Sequence, residues 1–274
     1  MQRLMRGARR RGQRIGFVPT MGALHAGHRS LIERARRENG CVVVSLFVNP
    51  AQFGPQEDCA RYPRPFAADT ALARRAGIDV LFCPTARAIY PEGYATYVTV
   101  EGPSAGLCGA SRPGHFRGVA TIVLKLLNLV QPDAAYFGNK DYQQATVIER
   151  LVRDLHLPVR IVRMPTVREA DGLAMSSRNR YLTLPQRQAA RIVPQALQYA
   201  RRLITDGERR PAPLRAQVRA FLRREPSARV EYVEAVDART LQRRQRLRGP
   251  TLIALAVRLG STRLIDNVVV AVPS

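Results

Sequence analysis

The sequence predicts an α/β fold, in which a doubly wound parallel sheet is followed by a smaller α+β domain. Three observations lead to this prediction. Short apolar runs alternate with charged, amphipathic runs through the first half of the 274 residues, which is typical of strands that alternate with helices. The run CVVVSLFV is continuously apolar and rich in β-branched side chains, as in a strand buried on both faces of a sheet. After residue 180, two amphipathic runs precede three strand-like runs.

The elements of the first half follow from local composition. A strand at 14–20 ends in turn residues, and a helix at 28–39 is closed by Gly40, a residue common just after helix ends. A strongly apolar helix at 119–132 is closed by Pro132. The other predicted elements are a strand at 41–48, a helix at 66–77, a strand at 78–84, a strand at 134–138, a helix at 141–155 and a strand at 159–167. Ligands of such sheets bind at the carboxyl ends of the strands, where the unusual loops of this sequence fall.

The second half is predicted to form a smaller domain. Its amphipathic helices are expected at 184–204 and 213–225, and Pro194 should kink or split the first of them. Its strands are expected at 228–238, 251–260 and 263–272. We therefore predict one domain at 1–166 and a second at 167–274 that closes over the site of the first.

Composition limits the classes of protein that the chain can belong to. The net charge is +23, and arginine carries nearly all of it, since Lys125 and Lys140 are the two lysines. Few aromatic residues interleave with the arginines and tryptophan is absent, so we interpret the charge as solvated helix faces that attract anionic ligands and expect no nucleic-acid partner. No apolar run approaches the roughly 18 residues of a membrane span, and no signal-peptide core follows the basic start. We expect a soluble, cytoplasmic protein without a membrane partner.

The four cysteines predict neither disulfides nor a zinc site. They show no CxxC spacing and no histidine at the intervals of a metal site. Cys41 and Cys83 lie in strand-like runs. We therefore expect free, buried thiols of the kind found in a reducing compartment.

The stretch FVPTMGALHAGH at 17–28 carries two of the four histidines, His25 and His28, in a turn that follows the first strand. Neither a GxxxxGK[ST] loop nor a GxGxxG fingerprint is present. If a helix begins near Gly27, its free N–H groups and positive dipole end form a phosphate cradle. A protonated histidine there would favour the charge that develops as a phosphate leaves. The alternative is that both histidines only cap and pack the turn.

Three further stretches follow other strands or loops. FVNPAQF carries Asn49 and Gln52, neutral amides that can bind a carboxylate or a hydroxyl. FGNKDYQQ carries Lys140, whose compact ammonium suits a phosphate, although an ordinary surface turn is the alternative. ADGLAMSSRNRYL combines a glycine turn, two serines and an arginine, which can surround a triphosphate. His115 precedes the apolar helix, whereas His156 lies at a helix end and is interpreted as a cap.

Taken together, these stretches resemble the pantothenate synthetases, the pantoate–β-alanine ligase family. PTMGALHAGH is similar to the His-x-Gly-His signature of the nucleotidylyltransferase superfamily, to which that family belongs. The motifs FVNPAQF, ARYPR, IYPEG, SRPGHFRGV, FGNKDYQQ, DGLAMSSRNRYL and RLIDN match the family in the same order. The resemblance spans nearly the whole chain and implies a Rossmann-like domain of the nucleotidylyltransferase type.

The resemblance also implies a reaction. ATP and (R)-pantoate would give pantoyl adenylate and pyrophosphate with Mg²⁺, and β-alanine would then attack the adenylate to give pantothenate and AMP. No covalent nucleophile is needed, since activation requires alignment of a carboxylate with the α-phosphate and stabilisation of the leaving pyrophosphate. Family members are typically homodimers, and we expect one here.

Site residues are carried over position by position. Catalytic roles fall to His28, His25 and Lys140, with His28 at the position of the proposed proton donor. Pantoate would contact Gln52, Gln144, Asn49 and His115, with Gln52 also near β-alanine, and Asp69 is the candidate metal ligand. ATP would contact Met21, Gly22, Ala23, Leu24, His25, Ala26, Gly27, His28, Gly138, Asn139, Lys140, Asp141, Val167, Met175, Ser176, Ser177 and Arg178, of which Met175 to Arg178 would form a mobile closing loop.

Three departures from the family pattern stand out. Family members usually have another strand and more helix before the equivalent of Arg14, so we expect either that an edge strand is missing or that the start codon is misassigned. Asn139 stands where Glu or Gln is usual, and Ala68 precedes Asp69 where adjacent acidic residues are frequent, so ATP phosphates and water would supply most magnesium ligands. A different adenylyl- or cytidylyltransferase of this fold and a nucleic-acid-binding protein are the alternatives; Gln52 and the full motif set argue against the former.

Overall fold

The computed structural model describes residues 1–55 and 57–272, which divide into two compact units. Unit 1 comprises Met1–Val100, Arg112–Asn139 and Val147–Pro165. Unit 2 comprises the segments 101–111 and 140–146 and the chain from Thr166 onward. The predicted division at 166/167 assigned both of these short segments to the first domain, whereas the structure groups them with unit 2.

Unit 1 contains a five-stranded parallel sheet in the order β3-β2-β1-β4-β5. Its strands are β1 Ile15–Thr20, β2 Cys41–Leu46, β3 Val80–Phe82, β4 Ala134–Gly138 and β5 Arg160–Met164. The chain moves outward from β1 to β3 and then returns to pair β4 with the other side of β1. The sheet is therefore doubly wound, as the sequence predicts, and its topological switch point lies between β1 and β4.

The helices of the first half are α1 Gln2–Arg10, α2 Ala26–Glu38, α3 Phe66–Arg75, α4 Ala86–Ile89, α5 Cys108–Ser111, α6 His115–Val130 and α7 Tyr142–Asp154. Of these, α2, α3, α6 and α7 lie close to predicted positions, whereas α1, α4 and α5 were not predicted from the sequence. Leu31 and Ile32 of α2 pack against Val18, Val42 and Val44 of the sheet, where all five side chains are buried. This packing fixes the first turn of α2 at the carboxyl end of β1.

Unit 2 contains the antiparallel strands β6 Ala228–Asp237, β7 Gly249–Leu259 and β8 Thr262–Val272. Helices α8 Leu184–Ala189, α9 Ile192–Thr205 and α10 Pro211–Leu222 precede them, which confirms an α+β arrangement. The predicted helix at 184–204 is split between α8 and α9. Pro194 lies within the first turn of α9 rather than at the break, because an N–H group is not needed in that turn.

Two cysteines differ from expectation. Cys41 and Cys108 are buried, Cys59 is half-buried and Cys83 is exposed, and all four are free thiols. The prediction that Cys83 is buried was wrong because β3 ends at Phe82, so Cys83 lies beyond the strand. In the described part of the chain, no helix is long and apolar enough to cross a membrane.

Candidate active site

The predicted site residues divide between the two units. The loop after β1 leads into α2, and a 3₁₀ turn, Asn139–Asp141, follows β4. These two connections leave the neighbouring strands of the switch point, where ligands of open α/β sheets bind. Unit 1 holds Met21 to His28, Asn49, Gln52, Asp69, His115, Gly138 and Asn139, and unit 2 holds Lys140, Asp141, Gln144, Val167 and Met175 to Arg178.

His25 and His28 form a capping box at the start of α2. The Gly27 N–H donates to Nδ1 of His25 at 3.1 Å, and the His25 N–H donates to Nδ1 of His28 at 3.3 Å. The two ring centroids are 4.1 Å apart. Because Nδ1 accepts in both rings, a neutral imidazole carries its proton at Nε2. Both histidines therefore cap the turn, and capping fixes each Nε2–H as a donor.

The backbone of the same loop is largely engaged by side chains. The Gly22 N–H donates to Oγ1 of Thr20 at 3.2 Å, and the N–H groups of Ala23 and Leu24 donate to the two carboxylate oxygens of Asp69 at 2.8 and 2.7 Å. Together with the two N–H groups that bond the histidines, five loop amides already have acceptors. These five amides are therefore held by the protein itself, and the phosphate cradle expected at the start of α2 stays a prediction.

Asp69 does not have the surroundings of a magnesium ligand. Its side chain lies in the first turn of α3 and is 3% exposed, and both of its oxygens accept backbone N–H groups. Within 1–55 and 57–272, no group of three or more His, Cys, Asp or Glu side chains could hold a metal ion. The residues present therefore do not fit a protein-held magnesium site.

Asn49 uses all of its amide hydrogen-bonding capacity inside the protein. Its Oδ1 accepts from the Tyr90 hydroxyl at 2.7 Å and from the Ala51 N–H at 3.3 Å, and its Nδ2 donates to the Gly118 carbonyl at 3.1 Å and to Oε1 of Gln52 at 3.0 Å. An amide has two donors and two acceptor lone pairs, and Asn49 is 1% exposed. The geometry favours a positioning role over the predicted contact with pantoate.

Gln52 receives its orientation from Asn49. Because Oε1 of Gln52 accepts from Asn49, the amide nitrogen takes the other side, 3.1 Å from Sδ of Met21. A thioether is a weak acceptor, so a carboxylate or hydroxyl oxygen can replace it. Burial raises the pKa of Tyr90, the hydroxyl that holds Asn49, and this hydroxyl therefore stays protonated. Gln52 consequently presents an oriented N–H donor beside the loop after β1.

A second network holds the backbone of Gln52. Arg112 donates to the Glu57 carboxylate at 2.6 and 2.5 Å and contacts Nε2 of His115 at 2.9 Å. Since guanidinium only donates, Nε2 of His115 accepts, and its Nδ1–H donates to the Gln52 carbonyl at 2.8 Å. Burial raises the pKa of Glu57, but the Arg112 hydrogen bonds outweigh it and hold that pKa below its usual range. His115 thus positions Gln52, and neither Arg112 nor Glu57 was singled out from the sequence.

In unit 2, Lys140 lies in a turn that a side chain of β8 holds. The Asn267 side chain donates to the Lys140 carbonyl at 2.9 Å, and the Lys140 ammonium lies 3.7 Å from the Asp141 carboxylate. Asp266, which is 2% exposed, accepts two hydrogen bonds from Arg168 at 2.6 and 3.0 Å. The motif RLIDN supplies both Asp266 and Asn267, and its role is therefore to fix this turn and its surroundings.

The two adjacent glutamines of α7 differ in their surroundings. Gln143 is buried and structural: it accepts from the Cys108 N–H at 3.0 Å and donates to the carbonyls of Pro103 and Gly106 at 2.9 and 2.7 Å. Gln144 is half-buried. The amide of Gln143 is therefore committed to the fold, and the contact of Gln144 with pantoate stays a prediction.

The predicted closing segment is a short hairpin followed by a 3₁₀ turn, Ser177–Tyr181. The Met175 N–H donates to the Val167 carbonyl at 3.0 Å, and the Ser176 hydroxyl caps the turn by accepting from the Arg178 N–H at 3.3 Å. Ser177 is buried. Val167 and Met175, two predicted nucleotide contacts, are thus neighbours within unit 2.

A family model described as pantoate–β-alanine ligase matches residues 1–269. The chain belongs to the pantoate–β-alanine ligase family. A pantothenate synthetase of Moorella thermoacetica is 57% identical over 265 residues, which cover 97% of this chain and 94% of the relative. As a member of this family, the chain is an enzyme, a ligase.

Solved structures agree with this assignment. A crystal structure of pantothenate synthetase from Thermus thermophilus superposes with a TM-score of 0.89 at 50% identity and covers 93% of this chain and 92% of that one. A pantoate–β-alanine ligase from Francisella tularensis, complexed with β-γ ATP and β-alanine, gives a TM-score of 0.78 at 36% identity and covers 97% and 94%. The parallel sheet and the separate three-stranded sheet are therefore those of the family.

Proposed function

We propose that this ligase makes pantothenate from (R)-pantoate, β-alanine and ATP through pantoyl adenylate. In the first step, a pantoate carboxylate oxygen attacks the α-phosphorus and the bond to the β-phosphate breaks, which releases pyrophosphate. In the second step, the β-alanine nitrogen attacks the acyl carbon, the bond to the phosphate oxygen breaks and AMP leaves as the nitrogen loses a proton. The family match and the β-alanine and β-γ ATP complex of the Francisella tularensis relative support this proposal.

The observation that carries the ATP site is the capping box of His25 and His28 beside the switch point. Two fixed Nε2–H donors suit the oxygens of a nucleotide, and Lys140 adds a positive charge for the leaving pyrophosphate. Each Nδ1 already accepts a backbone N–H. A cationic ring would carry a proton on Nδ1, so it could no longer accept that N–H and the cap would be lost. We therefore propose that His28 stabilises the phosphates as a neutral hydrogen-bond donor and does not transfer a proton.

The pantoate site is proposed around Gln52 and Gln144. The Gln52 amide donor faces a weakly accepting sulfur, which a carboxylate or hydroxyl oxygen can replace, and β-alanine would bind near the same residue. Asn49 and His115 serve this site by holding the side chain and the backbone of Gln52. Such positioning keeps the pantoate carboxylate aligned with the α-phosphate, on which the rate depends.

Val167 and the segment Met175 to Arg178 are proposed to bind adenine and the triphosphate. Magnesium is proposed to arrive with ATP, held by phosphates and water, because hard cations of this size bind substrate phosphates and few protein groups. A homodimer in the cytoplasm is proposed from the family resemblance, and sedimentation at micromolar concentration tests the oligomeric state.

The adenylate step is tested by isotope exchange. In the presence of ATP and pantoate but no β-alanine, labelled pyrophosphate should enter ATP, because formation of the adenylate is reversible. Omission of pantoate should abolish the exchange. Exchange that is independent of pantoate, or that requires β-alanine, would contradict the adenylate route.

A further inference from the structure

The loop after β1 has an unusual backbone shape that one buried carboxylate holds. Gly22 has a φ of 89° and Ala23 a φ of 52°, so two successive residues lie in the left-handed region. For alanine this conformation is strained, and such strain persists only where the surrounding structure maintains it. Asp69 maintains it here by accepting the N–H groups of Ala23 and Leu24 on its two oxygens.

The fit between the turn and the carboxylate is close. A Cβ atom built on Gly22 would lie 3.1 Å from Oδ2 of Asp69, so the carboxylate packs directly against the turn. Asp69 lies in the first turn of the ten-residue helix α3, where the helix dipole favours a negative charge. The residue after Leu24 is His25, the N-cap of α2.

We propose that Asp69 is a positioning residue for the nucleotide, and not a magnesium ligand. By holding Ala23 and Leu24, it fixes where α2 begins and hence where the rings of His25 and His28 lie. This inference rests on the proposed ATP site at those histidines. A metal ion at Asp69 would have to share or displace the backbone N–H groups that both carboxylate oxygens accept, on a side chain that is 3% exposed.

The first test needs no ligand. In Asp69→Asn, a donor replaces one of the two acceptors, so hydrogen exchange at the Ala23 and Leu24 amides, followed by NMR, should accelerate at least tenfold. Asp133→Asn is the matched control, because Asp133 accepts the Ile15 N–H at the opposite end of β1 and should leave those two amides unchanged. Unchanged exchange in Asp69→Asn overturns the proposal whether or not the protein binds ATP.

The second test measures ATP binding by calorimetry in EDTA, where no metal ion contributes. Asp69→Asn should weaken ATP at least tenfold, and Asp133→Asn should stay within twofold of the parent. If ATP binds Asp69→Asn as tightly as the parent, the positioning role is refuted. If the parent itself fails to bind ATP, the proposed function fails, while the exchange result still decides how Asp69 acts on the turn.

A rescue variant distinguishes a role of Asp69 in holding the turn from a role as a metal ligand. Glycine adopts a positive φ without strain, so Ala23→Gly should recover at least threefold of the ATP affinity lost in Asp69→Asn. Absence of rescue, or a tenfold rise in the magnesium needed for half-maximal AMP release, assigns Asp69 to the metal. If Asp69→Asn does not fold by circular dichroism, Ala23→Val strains the same turn with the carboxylate intact; it should weaken ATP tenfold in EDTA, and unchanged binding overturns the proposal.

Discussion

Gly118 of α6 is where a single methyl group should disturb the pantoate site most directly. A Cβ atom built there would lie 2.2 Å from the Ala51 carbonyl oxygen and 2.7 Å from Cα of Gln52. Both atoms are backbone, so no side chain can move aside. The substitution Gly118→Ala therefore has to displace the 3₁₀ turn Pro50–Gln52 from the helix.

The size of the displacement follows from the contact distance. Ordinary contacts of a Cβ atom begin at 3.4 Å, so the turn has to retreat by about 1.2 Å from a contact of 2.2 Å. That movement stretches the hydrogen bond from Asn49 to the Gly118 carbonyl, now 3.1 Å, beyond bonding range. Overpacking costs about 1–3 kcal/mol, and alanine returns about 1 kcal/mol of helix propensity. The net loss of stability should be about 0–2 kcal/mol, whereas misplacement of Gln52 by about 1 Å should lower kcat/KM for pantoate about 100-fold.

The assay is steady-state AMP release with pantoate and ATP varied separately, together with urea unfolding. Gly7→Ala is the matched control, because Gly7 lies in α1 and its added Cβ would approach the Arg11 side chain no closer than 3.6 Å; it should stabilise the protein by about 0.5–1 kcal/mol without altering the kinetics. The KM for ATP should change less than threefold in Gly118→Ala. A folded Gly118→Ala variant with parental kcat/KM for pantoate would refute the reasoning.

Three further predictions follow from the hydrogen-bond networks. His28→Glu keeps an acceptor for the cap but has no hydrogen to donate, so unfolding free energy should stay within about 0.5 kcal/mol while kcat/KM for ATP falls about 100-fold; retained activity would contradict the donor role. Arg112→Lys loses the bidentate hydrogen bonds to its carboxylate partner and should lower kcat/KM for pantoate about tenfold. The control Arg163→Lys breaks a similar pair and should not lower it. Equal effects of the two variants would contradict a positioning role. The Tyr136 hydroxyl holds the pKa of Glu38 at about 2, against an ordinary 4.5. Glu38 should therefore contribute about 1–2 kcal/mol to the free energy of unfolding above pH 4.5, and this contribution should disappear as the pH falls towards 2. Urea unfolding of the parent and of Glu38→Gln measures it, and a difference between the two that does not vary with pH would contradict the prediction.

Local patterns were sufficient for the order of the strands and of the helices of ten or more residues, because apolar periodicity and turn residues lie within each segment. Boundaries were less accurate where an unusual residue ends an element. The sequence predicted α2 from residue 28, but it begins at Ala26, because histidine at the N-cap is not among the residues that normally signal a helix start. Likewise, nothing local indicated that β3 stops one residue before Cys83.

The candidate site shows a sharper division. The motifs marked Asn49 and His115 as polar residues in the right place, but the type of residue could not reveal whether an amide or imidazole still has capacity for a ligand. That capacity depends on partners far along the chain, such as Tyr90 and Gly118, which saturate Asn49 from 41 and 69 residues away. Asp69 was assigned to the metal by resemblance to acidic residues of the family, and only the fold directs its carboxylate to the loop after β1.

The most direct test of the account is AMP release from ATP by the purified protein with each substrate omitted in turn. With pantoate, β-alanine and ATP all present, AMP and pantothenate should form in equal amounts, and omission of either acid substrate should abolish multiple turnovers. A folded protein that binds ATP but releases no AMP with both substrates present, or that releases AMP without forming pantothenate, would contradict the assignment as a pantoate–β-alanine ligase.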